Sequence, residues 1–259
     1  MTQREMQLKA FGDLLDIMDE LREKCPWDKK QTMESLRHLT IEETYELADA
    51  ILDNDFDEIS KELGDLLLHI VFYAKIGSES KNFDILDVIQ GINKKLIDRH
   101  PHVYGDVMAQ TDEEVAKNWE QLKLKEGKKS ILEGVPKSLP ALVKASRIQD
   151  KAASAGFDWD RSEQVFEKVQ EEIEELHTEV QKNDSSKVEA EFGDVLFSLI
   201  NYARFIDVDP ESALERTNKK FIKRFQYLEK EVAREGKDLR KLSLEEMDVY
   251  WDRSKAYFK

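Results

Sequence analysis

The chain writes one acidic pattern twice. Ile41-Glu42-Glu43-Thr44-Tyr45-Glu46 is followed by Glu62-Leu63-Gly64-Asp65, and Gln170-Glu171-Glu172-Ile173-Glu174-Glu175 is followed by Glu191-Phe192-Gly193-Asp194. The same sixteen-residue step leads from Glu46 to Glu62 and from Glu175 to Glu191. Equal spacing in two copies points to a duplicated unit whose geometry is kept, which confines the chain to a fold that can be built twice.

Residues three apart on a helix share a face, with Cβ atoms about 5–6 Å apart. Glu43 with Glu46, and Glu62 with Asp65, therefore form two-carboxylate claws. Between them Asp53-Asn54-Asp55, and in the second copy Asn183-Asp184-Ser185-Ser186, read as turns, so each copy is expected to be an antiparallel helical hairpin. Folding about Asn54 sets Glu46 opposite Glu62 and Glu43 opposite Asp65. Folding about Asn183 sets Glu175 opposite Glu191 and Glu172 opposite Asp194. Four carboxylates converge in each copy.

Four like charges raise one another's pKa unless a cation offsets them. All-oxygen ligation suits a hard ion, Mg²⁺ first and Mn²⁺ as the alternative. Neither hairpin offers the convergent His and Cys that zinc favours. Mg²⁺ keeps waters and takes substrate phosphates into its octahedron, so the pattern points to a phosphate-bearing substrate. The plainer reading, a solvated acidic face, fits a lone E-x-x-E far better than a repeated one. Here each second helix also runs on into apolar residues, Leu66 to Phe72 and Val195 to Ile200.

Charged residues make up 37% of the chain and hydrophobic ones 40%, while Gly and Pro number only 10 and 5. With long 3.6-residue patterns and no convincing strand, an all-α protein is expected. Its 259 residues suit one large or two modest domains, and the duplication favours two: a unit over 1–127, a linker over 128–140 rich in helix breakers, and a unit over 141–259. The net charge of −15 argues against nucleic acid as a partner. A single cysteine, Cys25, and the lack of a cationic leader with an apolar core favour the cytoplasm. The apolar runs are too short to span a membrane.

A helix is expected over Glu5 to Lys24, ended by Cys25-Pro26-Trp27-Asp28, and its counterpart over Ala141 to Ser154, followed by Gly156-Phe157-Asp158-Trp159-Asp160. After each hairpin comes a helix with a basic pair one turn apart, Lys95 with Arg99 and Lys220 with Arg224, suited to polyphosphate. Final helices open at the cap-like Thr111-Asp112-Glu113-Glu114 and Ser243-Leu244-Glu245-Glu246 and reach Trp119 and Lys123, and Trp251 and Lys255. The tryptophans are expected in the core, except that Trp251, near Lys255, is given a ligand role.

Together, the duplicated E-E-x-x-E and E-x-x-D, Cys25-Pro26-Trp27-Asp28, Arg99-His100-Pro101-His102-Val103 and Gly156-Phe157-Asp158 resemble the MazG family of nucleoside triphosphate pyrophosphohydrolases over nearly the whole chain. The resemblance implies tandem all-α units of the four-helix type, a homodimer, and Mg²⁺-dependent hydrolysis of a broad range of ribo- and deoxyribonucleoside triphosphates to monophosphate and pyrophosphate, in nucleotide-pool sanitation. It places metal ligands on Glu172, Glu175, Glu191 and Asp194, with counterparts at Glu43, Glu46, Glu62 and Asp65. Nucleotide contacts fall on Lys168, Glu171, Lys187, Lys220, Arg224 and Trp251, to which Lys255 is added. Glu171, about 100° round the helix from Glu172, is a candidate for ordering or deprotonating the attacking water.

Where the second copy has Lys168 and Lys187, the first has Leu39 and Glu58. The carboxyl-terminal unit is therefore expected to carry the main catalysis and the first to bind metal yet turn over poorly. Three rivals remain: a di-iron carboxylate protein, disfavoured because Glu-x-x-Asp stands where Glu-x-x-His is needed; a nucleotide- or metal-sensing regulator without turnover; and a hydrolase narrow for dUTP or dCTP.

Overall fold

The computed structural model describes residues 1–105, 111, 130–182 and 184–258. Every regular element among them is helical. Two compact units divide the chain, Met1–Val115 and Ala116–Lys259. The first holds α1 (Gln3–Lys24), α2 (Met33–Asp53), α3 (Phe56–Glu79), α4 (Ile85–Arg99) and a single helical turn, α5 (Pro101–Tyr104). The second repeats the order with α6 (Ala141–Ser154), α7 (Ser162–Lys182), α8 (Ser185–Phe205) and α9 (Pro210–Arg234), and ends in α10 (Leu244–Ser254). The expected first-copy helix with Trp119 and Lys123, the turn residue Asn183 and the Gly127-Lys128-Lys129 start of the linker lie outside the described residues.

Local chemistry sets the helix ends. Thr2 and Glu5 form a reciprocal capping box on α1, and Ser243 with Glu246 does the same on α10, satisfying amides that have no partner inside the helix. Pro26 follows the α1 C-cap Cys25, as the sequence predicts. Asn54 closes α2 in the left-handed region at φ 55°, which a short amide side chain tolerates, and Asp55 then caps α3. Asp184 caps α8 in the same way. The two expected hairpins, α2–α3 and α7–α8, are both present.

A core helix crosses behind each hairpin. In the first unit α1 and α2 both pack on α3, burying Met18, Leu36, Val71 and Phe72. In the second, α6 packs on α8, and Val165, Val169, Val195 and Ile200 are buried. A separate cluster of Leu228, Val232 and Tyr250 joins α9 to α10. Corners are held by arginines. Arg22 grips Glu79 through two nitrogens and also donates to the carbonyls of Asp28 and Gln31. Arg204 forks onto Asp158, tying the corner after α6 to the end of α8.

The hairpins keep a second apolar face exposed. Leu63, Leu67 and Ile70 on α3 stand at helical spacing, and Phe192, Leu196 and Leu199 repeat them on α8. Met18 is the test of the first core: fully buried, it should cost about 2–5 kcal/mol on truncation to Ala. Urea unfolding of Met18→Ala should show the loss, and an unchanged midpoint would mean the core is not packed around this residue.

Candidate active site

Of the four carboxylates expected to converge in each hairpin, three come together. Oxygens of Glu43, Glu46 and Glu62 lie within 4.8 Å of one another, and so do those of Glu172, Glu175 and Glu191. Glu62 and Glu172 are the buried members, at 5% and 8% exposure. Asp65 and Asp194, one turn beyond, are near enough for their charges to bear on Glu43 and Glu191.

Charge crowding is visible in the acids themselves. Burial, followed by the charges of Asp65 and Glu46, pushes Glu43 above the ordinary carboxylate range. Glu62 moves the same way through burial and then Glu46 and Glu43, and its Oε2 is buried with no hydrogen-bond partner. Glu191 is raised by burial and by Glu175, Asp194 and Glu172. An all-oxygen donor set, too acidic for its surroundings and with an orphaned oxygen, fits a hard divalent ion.

The second cluster carries a cation of its own. Lys168 Nζ lies 2.7 Å from Glu172 and 2.9 Å from Glu171, and these two hydrogen bonds raise its pKa. At the equivalent place in the first unit Leu39 packs on the hydrophobic core. The duplicated sites thus differ in the residue one helical turn before Glu43 and Glu172.

Beside Glu172 the second unit opens a cavity of about 670 Å³. Lys168, Glu172 and Asp194 stand at one end, and Gln149, Phe157, Trp159, Ser198, Asn201 and Arg204 are among its other walls. α6 ends in a Schellman motif, with Gly156 at φ 88° and Phe157 N–H donating to the Ala152 carbonyl, and this turn presents Phe157, Asp158 and Trp159 to the cavity. Trp159 is 45% exposed and Trp27 is 55% exposed, so neither is the core residue the sequence suggested.

The remaining candidates lie elsewhere. Lys187 pairs at 3.7 Å with Asp184 at the start of α8. Lys220 and Arg224 are on α9, Trp251 on α10 and Lys255 just beyond it; none of the four lines the cavity. Arg224 donates two hydrogen bonds to the Phe258 carbonyl and sits 5.9 Å from the centre of the Trp251 ring, which packs on the α9–α10 core. Lys255 pairs with Asp252. Gln149, Asn201 and the Asp158–Arg204 pair were not singled out from the sequence. Only Asp158 stood in a quoted motif, and its partner follows 46 residues later.

Paired helical hairpins, each gathering glutamates from both helices, define a class of all-α carboxylate proteins built by duplication. The MazG nucleotide pyrophosphohydrolase domain matches residues 31–104 and again 161–228, so the chain belongs to the MazG family. It is 45% identical to the nucleoside triphosphate pyrophosphohydrolase/pyrophosphatase MazG of Thermotoga maritima over 251 residues, 95% of this chain and 96% of that one. To the nucleoside triphosphate pyrophosphohydrolase of Escherichia coli K12 it is 43% identical over 257 residues, 96% and 98% of the two chains. Bacillus subtilis YabN, an uncharacterized protein, is 47% identical, but this chain covers 51% of it.

Acids with raised pKa bind protons more tightly in the folded state than in the unfolded chain. Their contribution to stability is therefore present below the unfolded carboxylate pKa and lost as pH rises through the raised values of Glu43, Glu62 and Glu191. Millimolar Mg²⁺ should raise the Tm at pH 7.5 and raise it much less at pH 5, where protons compete. Glu62→Gln should raise the metal-free Tm at pH 7.5. Equal Mg²⁺ shifts at both pH values would contradict this.

Proposed function

We propose that the chain is a nucleoside triphosphate pyrophosphohydrolase that releases pyrophosphate and leaves the nucleoside monophosphate. The observation that carries this is that Glu172 of the second hairpin's glutamate cluster, with Asp194, lines a cavity large enough for a nucleoside. Family membership and near full-length relatives bearing that name support it. Broad base tolerance, and a role in cleansing the nucleotide pool, extend the reading. We place the units over 1–127 and 141–259, with 128–140 as linker.

Glu172, Glu175, Glu191 and Asp194 would hold Mg²⁺, or Mn²⁺ in its place, and Glu43, Glu46, Glu62 and Asp65 would hold a second ion in the first unit. A bound ion of this kind neutralises phosphate charge and makes a ligated water more acidic. Glu171 orders or deprotonates the attacking water, which adds to the α-phosphorus while the bond to the bridging oxygen breaks and pyrophosphate leaves. Lys168, now held by Glu171 and Glu172, is placed to turn its ammonium to a phosphate oxygen. Lys187 would approach the phosphates from α8.

Lys220, Arg224, Trp251 and Lys255 need another route to the nucleotide. A homodimer supplies one, since the exposed Phe192, Leu196 and Leu199 face of α8 and the exposed Phe221 and Ile222 of α9 are apolar surface suited to a second copy. The α9–α10 arm of one copy would then serve the carboxylates of the other. The net charge of −15 sets the protein against nucleic acid, and among the described residues no helix is long and apolar enough to cross a membrane. A lone free cysteine accords with the cytoplasm.

The test is a panel of nucleoside triphosphates with Mg²⁺, products resolved by phosphorus NMR. Monophosphate and pyrophosphate should appear, falling at least about a hundredfold in Glu172→Gln and little in Glu43→Gln. Binding of a triphosphate with no product would favour the regulator instead.

A further inference from the structure

The cavity beside Glu172 extends beyond anything the phosphate chemistry uses. Asp194 and Arg204, both on its wall, are separated by about 15 Å of α8 at 1.5 Å rise per residue. Along that length the lining changes from Lys168, Glu172 and Asp194 to Gln149, Phe157, Trp159 and Asn201.

Gln149 is the unusual member. It is 6% exposed, and its Nε2 donates to the Phe197 carbonyl oxygen at 2.7 Å. A carbonyl can only accept, so this bond fixes which end of the amide is nitrogen. The other end, Oε1, is a buried acceptor with no hydrogen-bond partner. Buried amide oxygens are nearly always paired, and one left without a partner in a residue that lines a ligand-sized cavity calls for a donor that a ligand can bring. The aromatic groups of Phe157 and Trp159 on the same cavity suit a flat ring.

We propose that Gln149 reads the base of the substrate, its Oε1 accepting a hydrogen bond from an N–H on the base edge. The proposal rests on the pyrophosphohydrolase reading of this site and deepens it. Adenine and cytosine present an amino group there, and guanine and uracil a ring N–H. A single acceptor therefore separates nucleotides from base-free triphosphates and does little to rank the natural bases. Asn201, whose Oδ1 already accepts from Arg204, and the Asp158–Arg204 pair frame the cavity around it.

The experiment measures kcat/KM for ATP, purine riboside triphosphate and ribose 5′-triphosphate in the wild type and in Gln149→Met. Purine riboside lacks the amino group, and the ribose compound lacks the base. The wild type should prefer ATP over purine riboside triphosphate by about three- to tenfold, the worth of one neutral hydrogen bond. Gln149→Met should lose about that factor on ATP, abolish the preference and leave ribose 5′-triphosphate turnover unchanged, which also shows that the variant is folded. An equal loss on all three substrates would assign Gln149 to holding the Phe197 backbone and overturn the proposal, as would no loss on ATP. Failure of the wild type to release pyrophosphate from any substrate would instead remove the enzymatic reading, and the proposal with it.

Discussion

Three glutamate carboxylates whose oxygens lie within 4.8 Å of one another cannot all stay charged without an opposite charge among them. Much of the architecture serves that constraint. Two antiparallel helices are needed to bring the acids together, the left-handed Asn54 and the caps Asp55 and Asp184 set where those helices end and begin, and a third helix packs behind each hairpin. The acids are set beside the apolar side chains of α3 and α8, so they are partly desolvated, and a small ion rather than bulk water becomes the economical counter-charge.

The two units meet this constraint differently. In the second, Lys168 supplies a fixed cation to Glu172, and the small Ser198 stands on the cavity wall. The register that carries Glu62 onto Glu191 carries Thr40 onto Val169 and His69 onto Ser198. In the first unit those residues are joined: Thr40 Oγ1 lies 3.0 Å from His69 Nδ1 and 2.7 Å from the Tyr73 hydroxyl. Burial lowers the His69 pKa and favours a neutral imidazole in that cluster. With Leu39 in place of the lysine, the first unit keeps the acids and fills the adjoining space with a larger, polar side chain. This difference is the ground for proposing turnover in the second unit rather than the first.

What could be read from the sequence was local. Capping residues, the proline after α1, the left-handed Asn54 and the spacing of the glutamates all act within a few residues of themselves, so the all-α duplicated fold and the meeting of the acids were legible. Relations across the chain were not. Gln149 meets the Phe197 carbonyl 48 residues away, and Asp158 meets Arg204 46 residues away; neither partner has a periodicity that announces the other. Trp27 and Trp159 were assigned to the core from residue type alone, whereas both stand at corners where the chain leaves its first helix and remains open to solvent. The basic residues of α9 share a helix face in sequence, but which carboxylates they serve depends on packing beyond that helix.

Cation binding at both hairpins is the proposal that joins the clustered acids to the chemistry. Free Mn²⁺ counted by EPR during titration at pH 7.5 tests that most directly, using the wild type, Glu62→Gln and Glu191→Gln. The expected result is saturable binding from which each substitution removes its own class of site. Binding that both substitutions leave intact, or no saturable binding at all, would contradict the account.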